Sequence, residues 1–233
     1  MTLRRPARPP WVVKLGGSLN DAPELPDWLR TCAALGGQVV VVPGGGPYAD
    51  AVRHAQAVWG FGDDAAHDLA LGAMEQFGRQ LCAMRPGLVP AASPETVRMV
   101  LAAGKTPVWM PRIMTLASSE IAQSWSVTSD SLAAWLALRM GAQGLVLVKS
   151  AQVVTRDWTV LAGAGVVDSA FPGFAAPLQR VHVIERNAWP SLADIVQATG
   201  ECSRAAAMQR PPSEPPEKTW GAHALSHVER FDG

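Results

Sequence analysis

Short runs of apolar, largely β-branched residues recur along the chain, and longer stretches with a different periodicity separate them. Runs of this length and composition, bounded by turn-forming residues, are typical of strands buried on both faces of a sheet. Each run is therefore predicted to be an interior strand. The runs are WVVKL at 11–15, QVVVV at 38–42, TPVWM at 106–110, GLVLV at 144–148 and RVHVI at 180–184.

The intervening stretches repeat apolar residues every three or four positions, which predicts helices. In the third of them Leu69, Ala73, Phe77 and Leu81 recur at i+4 spacing and form one apolar face. Such a face is typical of a helix that packs on the core. The predicted helices lie in residues 23–35, 47–58, 64–84, 93–104 and 129–141.

Strands that alternate with helices predict right-handed βαβ crossovers and a mainly parallel sheet covered by helices on both faces. Ligands of such sheets bind at the carboxyl ends of the strands. Three polar or glycine-rich segments are predicted to meet at that edge. They are Gly16-Gly17-Ser18, Gly44-Gly45-Gly46 and Thr128-Ser129-Asp130.

Composition narrows the class of protein. The 233 residues are 48% hydrophobic and 17% charged, as in a folded globular chain, with 20 basic and 20 acidic residues. No basic field favours nucleic acid or an anionic membrane as a partner. Three cysteines without CxxC spacing give no disulfide framework or zinc site, and no signal-like or membrane-spanning apolar segment is evident. A cytoplasmic protein is expected.

The chain after residue 202 lacks an apolar period and contains four prolines between residues 211 and 216. Such a segment is typical of a tail. The predicted organisation is one domain over residues 1–202 followed by a proline-rich tail over residues 203–233.

Lys14 interrupts an otherwise apolar strand two positions before Gly16 and Gly17. Such a lysine is costly unless its ammonium reaches water or an anion, so it either extends to solvent beside an ordinary turn or contacts a phosphoryl group. The glycines at 44–46 precede Pro47 and a helix start, which suits an anion or simply a tight turn. Neither segment matches a Walker or a dinucleotide-binding motif.

Thr128, Ser129 and Asp130 begin a predicted helix, where capping alone accounts for such residues. A second reading places the Asp130 carboxylate near Lys14 at the shared edge of the sheet, where it orients the ammonium. The common location of the lysine, the two glycine turns and the aspartate is stronger evidence for an anion site than any one of these motifs alone.

The segments VVKLGGSL, VVVVPGGGPYADAVR and SWSVTSDSLAAWLA resemble the three signature blocks of the amino acid kinase family. EIAQSWSVTSDSLA and AHDLALGAM are most similar to the branch that phosphorylates an aminomethylfuran phosphate in methanofuran biosynthesis in methanogens and methylotrophs. The resemblance covers roughly residues 11–200. It implies a three-layer αβα sandwich with a central, mainly parallel sheet of about eight strands.

The resemblance also implies site residues. Lys14 would stabilise the transferring phosphoryl group and Asp130 would organise the lysine. The nucleotide phosphates would be bound by Gly16, Gly17, Ser18 and Lys149, with ATP and Mg²⁺ as cofactors and no protein metal site. The phosphorylated small-molecule acceptor would contact Gly44, Gly45, Gly46, His67, Trp125, Ser126, Thr128 and Ser129, although packing is an alternative role for His67 and Trp125.

Two segments that bind the nucleotide in the family depart from the family pattern in this sequence. VKSAQVVTRD replaces the acidic, glycine-containing run that usually follows the fourth strand, and alanines 175 and 176 stand where a second lysine is expected. Lys149 or Arg180 could replace that cation. Two functions therefore stay open: an ATP-dependent small-molecule kinase, or a silent homologue that binds a ligand or serves as a structural or regulatory subunit. The resemblance further implies a homodimer or larger homo-oligomer, or a paralogous partner. It makes residues 67–81 the candidate interface, the alternative being an ordinary core-facing helix.

Overall fold

The computed structural model of the chain describes residues 8–150, 153 and 155–198. The predicted proline-rich tail and the proposed domain end at residue 202 lie outside the described residues. The statements below concern the described part of the chain.

A single parallel sheet forms the centre of the described chain. The strands are ordered β3-β4-β2-β1-β5-β6, and all five pairings between neighbours are parallel. The predicted parallel α/β sheet is confirmed, with six strands among the described residues rather than about eight. The strands are β1 (Trp11–Leu15), β2 (Val39–Pro43), β3 (Leu88–Ala91), β4 (Thr106–Trp109), β5 (Gly144–Lys149) and β6 (Val181–Glu185).

The strand that the sequence pattern missed is β3, which has only four residues and contains Pro90. A proline cannot donate to a strand ladder and is tolerated at the edge of a sheet, which is where β3 lies. Because β3 is short and partly exposed, it lacks the run of apolar residues that identified the other strands.

Helices cover both faces of the sheet. The five predicted helices are present, and three short ones, α5, α7 and α8, were not predicted. The helices are α1 (Leu25–Ala34), α2 (Gly46–Trp59), α3 (Asp63–Met84), α4 (Pro94–Ala102), α5 (Arg112–Leu116), α6 (Ser129–Met140), α7 (Trp158–Gly163) and α8 (Phe171–Ala175). Residues 191–198 are also helical.

Alternation along the buried strands produces two apolar layers. In β1, Val12 packs in the layer that contains α6 and α8, whereas Trp11 and Val13 pack in the opposite layer with α1. Successive strand side chains point to opposite faces, so a strand buried on both sides must be apolar throughout. This arrangement is the three-layer αβα sandwich.

Most of the apolar face of α3 belongs to the core. Ala73, Phe77 and Leu81 are buried, whereas Leu69 is 51% exposed. Near the start of the helix the buried apolar positions are Ala66 and Leu71 instead. A strict four-residue repeat drifts around a helix of about 3.6 residues per turn, which explains why Leu69 lies off the buried face. Within the described residues, no helix is both long and apolar enough to cross a bilayer.

Candidate active site

The two glycine turns meet at the carboxyl edge of the sheet. β1 and β2 are neighbours in register, with Lys14 opposite Val42 and Leu15 opposite Pro43. A Cβ atom on Gly17 would lie 2.3 Å from the Gly46 nitrogen. The turns therefore approach each other so closely that only glycine fits, as the sequence pattern suggested.

The second turn leads directly into α2. Gly46 has a φ of 55°, a left-handed conformation that favours glycine, and Pro47 occupies the first turn of the helix. Gly44 is buried against the glycine turn that follows β1, since a Cβ atom on it would lie 2.4 Å from the Gly17 nitrogen. Gly45 and Gly46 line a cavity, so the positive end of the α2 dipole faces that space.

Replacing Gly17 by alanine is expected to lower the free energy of unfolding by about 1 to 3 kcal/mol, because the new methyl group must displace backbone. Gly72→Ala is the matched control: a Cβ there has no neighbour within 4 Å, and helix propensity predicts a gain of up to about 1 kcal/mol. Urea denaturation measures both variants. Equal effects of the two substitutions would contradict the close contact between the turns.

Lys14, Asp130 and Lys149 form a buried ion triad at the ends of β1 and β5. The Lys14 Nζ is 2.9 Å from Asp130 Oδ1, and the Lys149 Nζ donates to Asp130 Oδ2 at 2.6 Å. The three side chains are 6%, 7% and 12% exposed in the order Lys14, Asp130, Lys149. The structure thus brings together the lysine, the aspartate and the second cation named from the sequence.

Burial and the neighbouring charges have opposite effects on the pKa of Asp130 in the triad. Burial raises the pKa of Asp130, but the charges of Lys14 and Lys149 and their contacts with its carboxylate outweigh burial, so the pKa is lowered overall. Burial, together with the charge of Lys14, lowers the pKa of Lys149 to about 8 in spite of Asp130. The Asp130 carboxylate thus lies between two lysine side chains at the end of the sheet.

The position of the second cation is decided by strand direction. Lys149 ends β5 and is paired in register with Glu185 at the end of β6. Arg180 precedes β6, and its carbonyl accepts from Leu145 near the start of β5. Arg180 therefore lies at the opposite edge of the sheet from the triad. Lys149 alone of these two candidates reaches the site.

The turn after β1 continues the site. A Cβ on Gly16 would lie 3.5 Å from Lys14 Nζ, so the missing side chain leaves space beside the ammonium. The Ser18 hydroxyl is hydrogen-bonded to the Ser150 hydroxyl at 2.9 Å, which joins this turn to the end of β5. These small groups fit the close approach of a phosphate.

A cavity of about 390 Å³ adjoins the triad. Gly17 and Ser129 line it, and Ser129 directly precedes Asp130, whereas the triad side chains stand beside the cavity rather than in its wall. The remaining walls come from α2, α3 and the segment before α6. Other lining residues include Ser18, Asn20, Asp21, Gly45, Gly46, Asp50, Arg53, His67, Trp125 and Thr128.

Trp125 is held in the cavity wall by two residues of α2. Its Nε1 donates to Gln56 Oε1 at 2.6 Å, and the Arg53 guanidinium lies 4.1 Å from the ring centroid. Gln56 itself donates to the Phe61 carbonyl in the turn before α3 and to the Asp63 carboxylate at the start of that helix. The indole is therefore held at its ring nitrogen by Gln56 and over one face by Arg53, so its orientation is fixed before a ligand binds.

His67 lies in the wall contributed by α3 and is buried. Burial lowers its pKa, and a backbone hydrogen bond at Ser124 and the charge of Asp68 only partly oppose that effect. Its Nε2 is buried without a hydrogen-bond partner among the described residues. The structure thus places His67 in the cavity wall, and its contact with the acceptor stays a prediction.

The serines and threonine before α6 have different roles. Ser129 is buried in the cavity wall, whereas the Thr128 hydroxyl donates to Asp168 at 2.8 Å. Ser126 is exposed and hydrogen-bonded to Ser124, and it is not among the residues that line the cavity. The structure thus brings Thr128 and Ser129, but not Ser126, to the cavity.

Sequence reasoning missed three residues that organise the site. Arg53 and Gln56 lie about two and about three turns into α2, and Asp168 lies in the loop before α8. Arg53 and Gln56 are three residues apart on a predicted helix, which puts them on one face. Asp168 is 38 residues beyond Asp130 in sequence, and no local pattern connects them.

The residues present suit ATP phosphates better than a metal cage. Gly16, Gly17, Ser18 and Lys149 combine open backbone with a cation beside Lys14. No three His, Cys, Asp or Glu side chains come together within the described ranges. Mg²⁺ commonly binds through substrate phosphates and retained water, so it would enter with the nucleotide.

The fold and site have counterparts in known proteins. The [5-(aminomethyl)furan-3-yl]methyl phosphate kinase of Methanocaldococcus jannaschii is 28% identical over 128 residues, which are 54% of this chain and 58% of that relative. The match thus spans little more than half of the curated relative.

Two solved structures share the fold. Uridylate kinase from Archaeoglobus fulgidus has a TM-score of 0.57 at 16% identity, covering 82% of this chain and 95% of that one. UMP kinase from Bacillus anthracis has a TM-score of 0.56 at 14% identity, covering 82% and 93%. The profile of the amino acid kinase family matches residues 9–160. With the signature segments assembled at one sheet edge, the chain belongs to the amino acid kinase family.

Proposed function

We propose that the protein is an ATP-dependent kinase that transfers the γ-phosphoryl group to the phosphate of a small phosphorylated acceptor. The observation that carries this proposal is the Lys14–Asp130–Lys149 triad beside two touching glycine turns. A phosphorylated aminomethylfuran is the acceptor to test first, because the curated relative acts on such a compound.

The triad supplies what phosphoryl transfer needs from a protein. Catalysis of this reaction depends on positioning and on cations that stabilise the charge spread over the transferring group. One carboxylate shared by two ammonium groups holds them apart at a fixed separation and leaves a net positive charge. Lys149 thus takes the place of the second lysine that the family pattern puts later in the chain.

The transfer itself needs no base from this chain when the acceptor is a phosphate. An ionised acceptor oxygen forms the new bond to the γ-phosphorus while the bond from that phosphorus to the bridging oxygen breaks. ADP departs with the electron pair. Asp130, whose pKa is lowered and whose oxygens both face lysines, acts as a counter-ion rather than as a proton acceptor.

The two sides of the triad suit two substrates. The space beside Gly16 and Lys149 fits the donor phosphates, and Mg²⁺ bound there with ATP would shield their charge. The 390 Å³ cavity, with Trp125 in its wall, fits a small aromatic acceptor whose phosphate points towards Gly45 and Gly46.

Purified full-length protein incubated with labelled ATP, Mg²⁺ and a panel of acceptors tests the proposal. The panel includes a phosphorylated aminomethylfuran, the same furan without its phosphate, UMP and acetylglutamate. Transfer to a phosphorylated member, with a diphosphate product, is the expected result. Transfer to acetylglutamate alone, or ATP hydrolysis without any acceptor product, would contradict it.

One observation favours the alternative of a silent ligand-binding homologue. Ala175 and Ala176 occupy α8 and its end, where the resemblance predicts a cation. A silent homologue would be stabilised thermally by the acceptor phosphate but not by ATP with Mg²⁺, since ligands raise stability according to their affinity for the folded state. A kinase would be stabilised by both.

We also propose the homo-oligomer that the resemblance implies. Light scattering of the purified protein measures its molar mass and tests this expectation.

Replacing Trp125 by alanine is expected to raise the KM for the acceptor about tenfold or more with little change in the KM for ATP, because one wall of the acceptor cavity is lost. Trp125→Phe should retain most of the affinity. Trp59→Ala is the control, as Trp59 is 80% exposed at the end of α2. An equal rise in both KM values would place Trp125 outside acceptor binding.

A further inference from the structure

Asp168 makes a concentrated set of contacts with the start of α6. Its Oδ2 accepts from the Thr128 nitrogen at 2.9 Å, the Thr128 hydroxyl at 2.8 Å and the Ser131 nitrogen at 3.0 Å. Its Oδ1 accepts from the Ser131 hydroxyl. One carboxylate thus takes four hydrogen bonds from two residues of another element.

These contacts replace the usual local cap of the helix. Thr128 is the N-cap of α6, yet its side chain does not cap the helix. Its hydroxyl is directed to Asp168 instead. An anion at a helix N-terminus is stabilised by the unpaired backbone amides and by the helix dipole. Asp168 therefore caps α6 from the loop that precedes α8.

The cap encloses the catalytic carboxylate. Thr128 and Ser131 lie on either side of Asp130, so the backbone that carries Asp130 is held on both sides by one acceptor. Because the Asp130 side chain needs no capping role, both of its oxygens are available to Lys14 and Lys149. The position of the triad depends on this anchor.

We propose that Asp168 is a positioning residue for the reaction: it holds the start of α6 so that Asp130 keeps Lys14 and Lys149 at the separation required for phosphoryl transfer. This inference rests on the proposed function. A misplacement of about 1 Å at such a centre costs up to about 100-fold in rate. The loop before α8, rather than the helix itself, then sets the geometry of the triad.

The charge of Asp168 also acts on the triad. Lys149 is faced by Lys14 from β1, by Asp130 from α6, by Asp168 from the loop before α8 and by its register neighbour Glu185 on β6. Asp168 raises the pKa of Lys149, against the lowering by burial and by Lys14. Loss of this charge would favour the neutral amine.

Asp168→Asn tests the proposal, since asparagine keeps the shape but removes the charge and part of the acceptor capacity. The variant is expected to lose about 10- to 100-fold in kcat with a small change in either KM. The alkaline limb of its pH–rate profile should move to lower pH, because the charge that raises the pKa of Lys149 is lost. Asp157→Asn is the matched control, because Asp157 accepts from the Thr159 and Val160 nitrogens as the cap of α7.

A second readout does not depend on turnover. The chain has four lysines, so NMR titration of lysine side chains labelled at Cε, assigned with Lys149→Arg, follows Lys149 in the absence of substrates. Asp168→Asn should lower its titration midpoint, and Asp157→Asn should not. This readout remains valid if the wild-type protein transfers no phosphoryl group, so failure of the proposed function is recognised separately.

A role in folding alone predicts a different pattern. In that case Asp168→Asn would lower the melting temperature, lose activity only in proportion to the folded fraction, and leave both the pH limb and the Lys149 midpoint unchanged. That outcome overturns the proposal. If Asp168→Asn does not fold at all, Asp168→Glu, which keeps the charge on a longer side chain, is measured instead. It should have the wild-type titration midpoint for Lys149 but a lower kcat than the wild type. A kcat equal to that of the wild type in this variant also overturns the proposal.

Discussion

Alanine at position 14 is expected to lower the turnover number by at least about 1,000-fold, with ATP and acceptor still bound. Single cations that stabilise the charge of a transferring phosphoryl group contribute factors of this size. Lys14 is the more deeply buried of the two triad lysines, because its strand is central and its side chain is 6% exposed, against 12% for Lys149. Single-turnover transfer of labelled phosphate measures the loss.

Two other lysines provide the comparison. Lys105→Ala removes an exposed lysine just before β4, at the opposite edge of the sheet, and should leave turnover unchanged. Lys149→Ala should lower turnover by a comparable factor if Lys149 serves as the second cation. Activity within about tenfold of wild type in Lys14→Ala would rule out the transfer mechanism, whereas loss confined to Lys14→Ala would remove Lys149 from it.

Asparagine at position 130 is expected to lower the free energy of unfolding at pH 7 by about 3 to 5 kcal/mol. Removing one partner of a buried ion pair leaves the other charge uncompensated, and here two ammonium groups would face each other. The pKa of Lys149, about 8 in the wild type, should fall further. Chemical denaturation gives the stability difference.

The stability difference should depend on pH in a defined direction. The folded-state pKa of Asp130 lies below its ordinary value of about 3.9. Between those two pKa values the unfolded chain binds more protons, so stability rises with pH there. The advantage of the wild type over Asp130→Asn is thus complete above about pH 4 and is lost as pH falls through the folded-state pKa.

A double variant separates charge repulsion from lost packing. Asp130→Asn combined with Lys149→Met removes one of the two facing ammonium groups and should recover part of the lost stability without restoring turnover. Asp157→Asn, at the exposed cap of α7, should cost about 1 kcal/mol or less. Additive losses in the double variant would show that Lys14, Asp130 and Lys149 do not form one electrostatic unit.

Local sequence was sufficient for much of the fold and for the place of the site. Strands buried on both faces must be apolar throughout, which made β1, β2, β4 and β5 recognisable. β6 was expected to be such a strand as well, but it lies half-buried at an edge of the described sheet. β3 escaped because an edge strand tolerates Pro90 and partial exposure. The glycine turns after β1 and β2 were recognisable because their close approach excludes side chains. Only glycine fits there, so the requirement is visible in the sequence.

Sequence alone determined the alternation of strands and helices, the parallel sheet and the edge at which Lys14, the glycine turns and Asp130 meet. Tertiary structure decided which cation joins them and what holds Asp130. Lys149 was the expected second cation with Arg180 as an alternative, and strand direction put the two at opposite ends of the sheet. Asp168 contacts the start of α6 only because its loop reaches that helix. The physical reason is that periodicity and turn chemistry act between near neighbours, whereas ion pairs and caps between distant segments depend on how the crossovers pack.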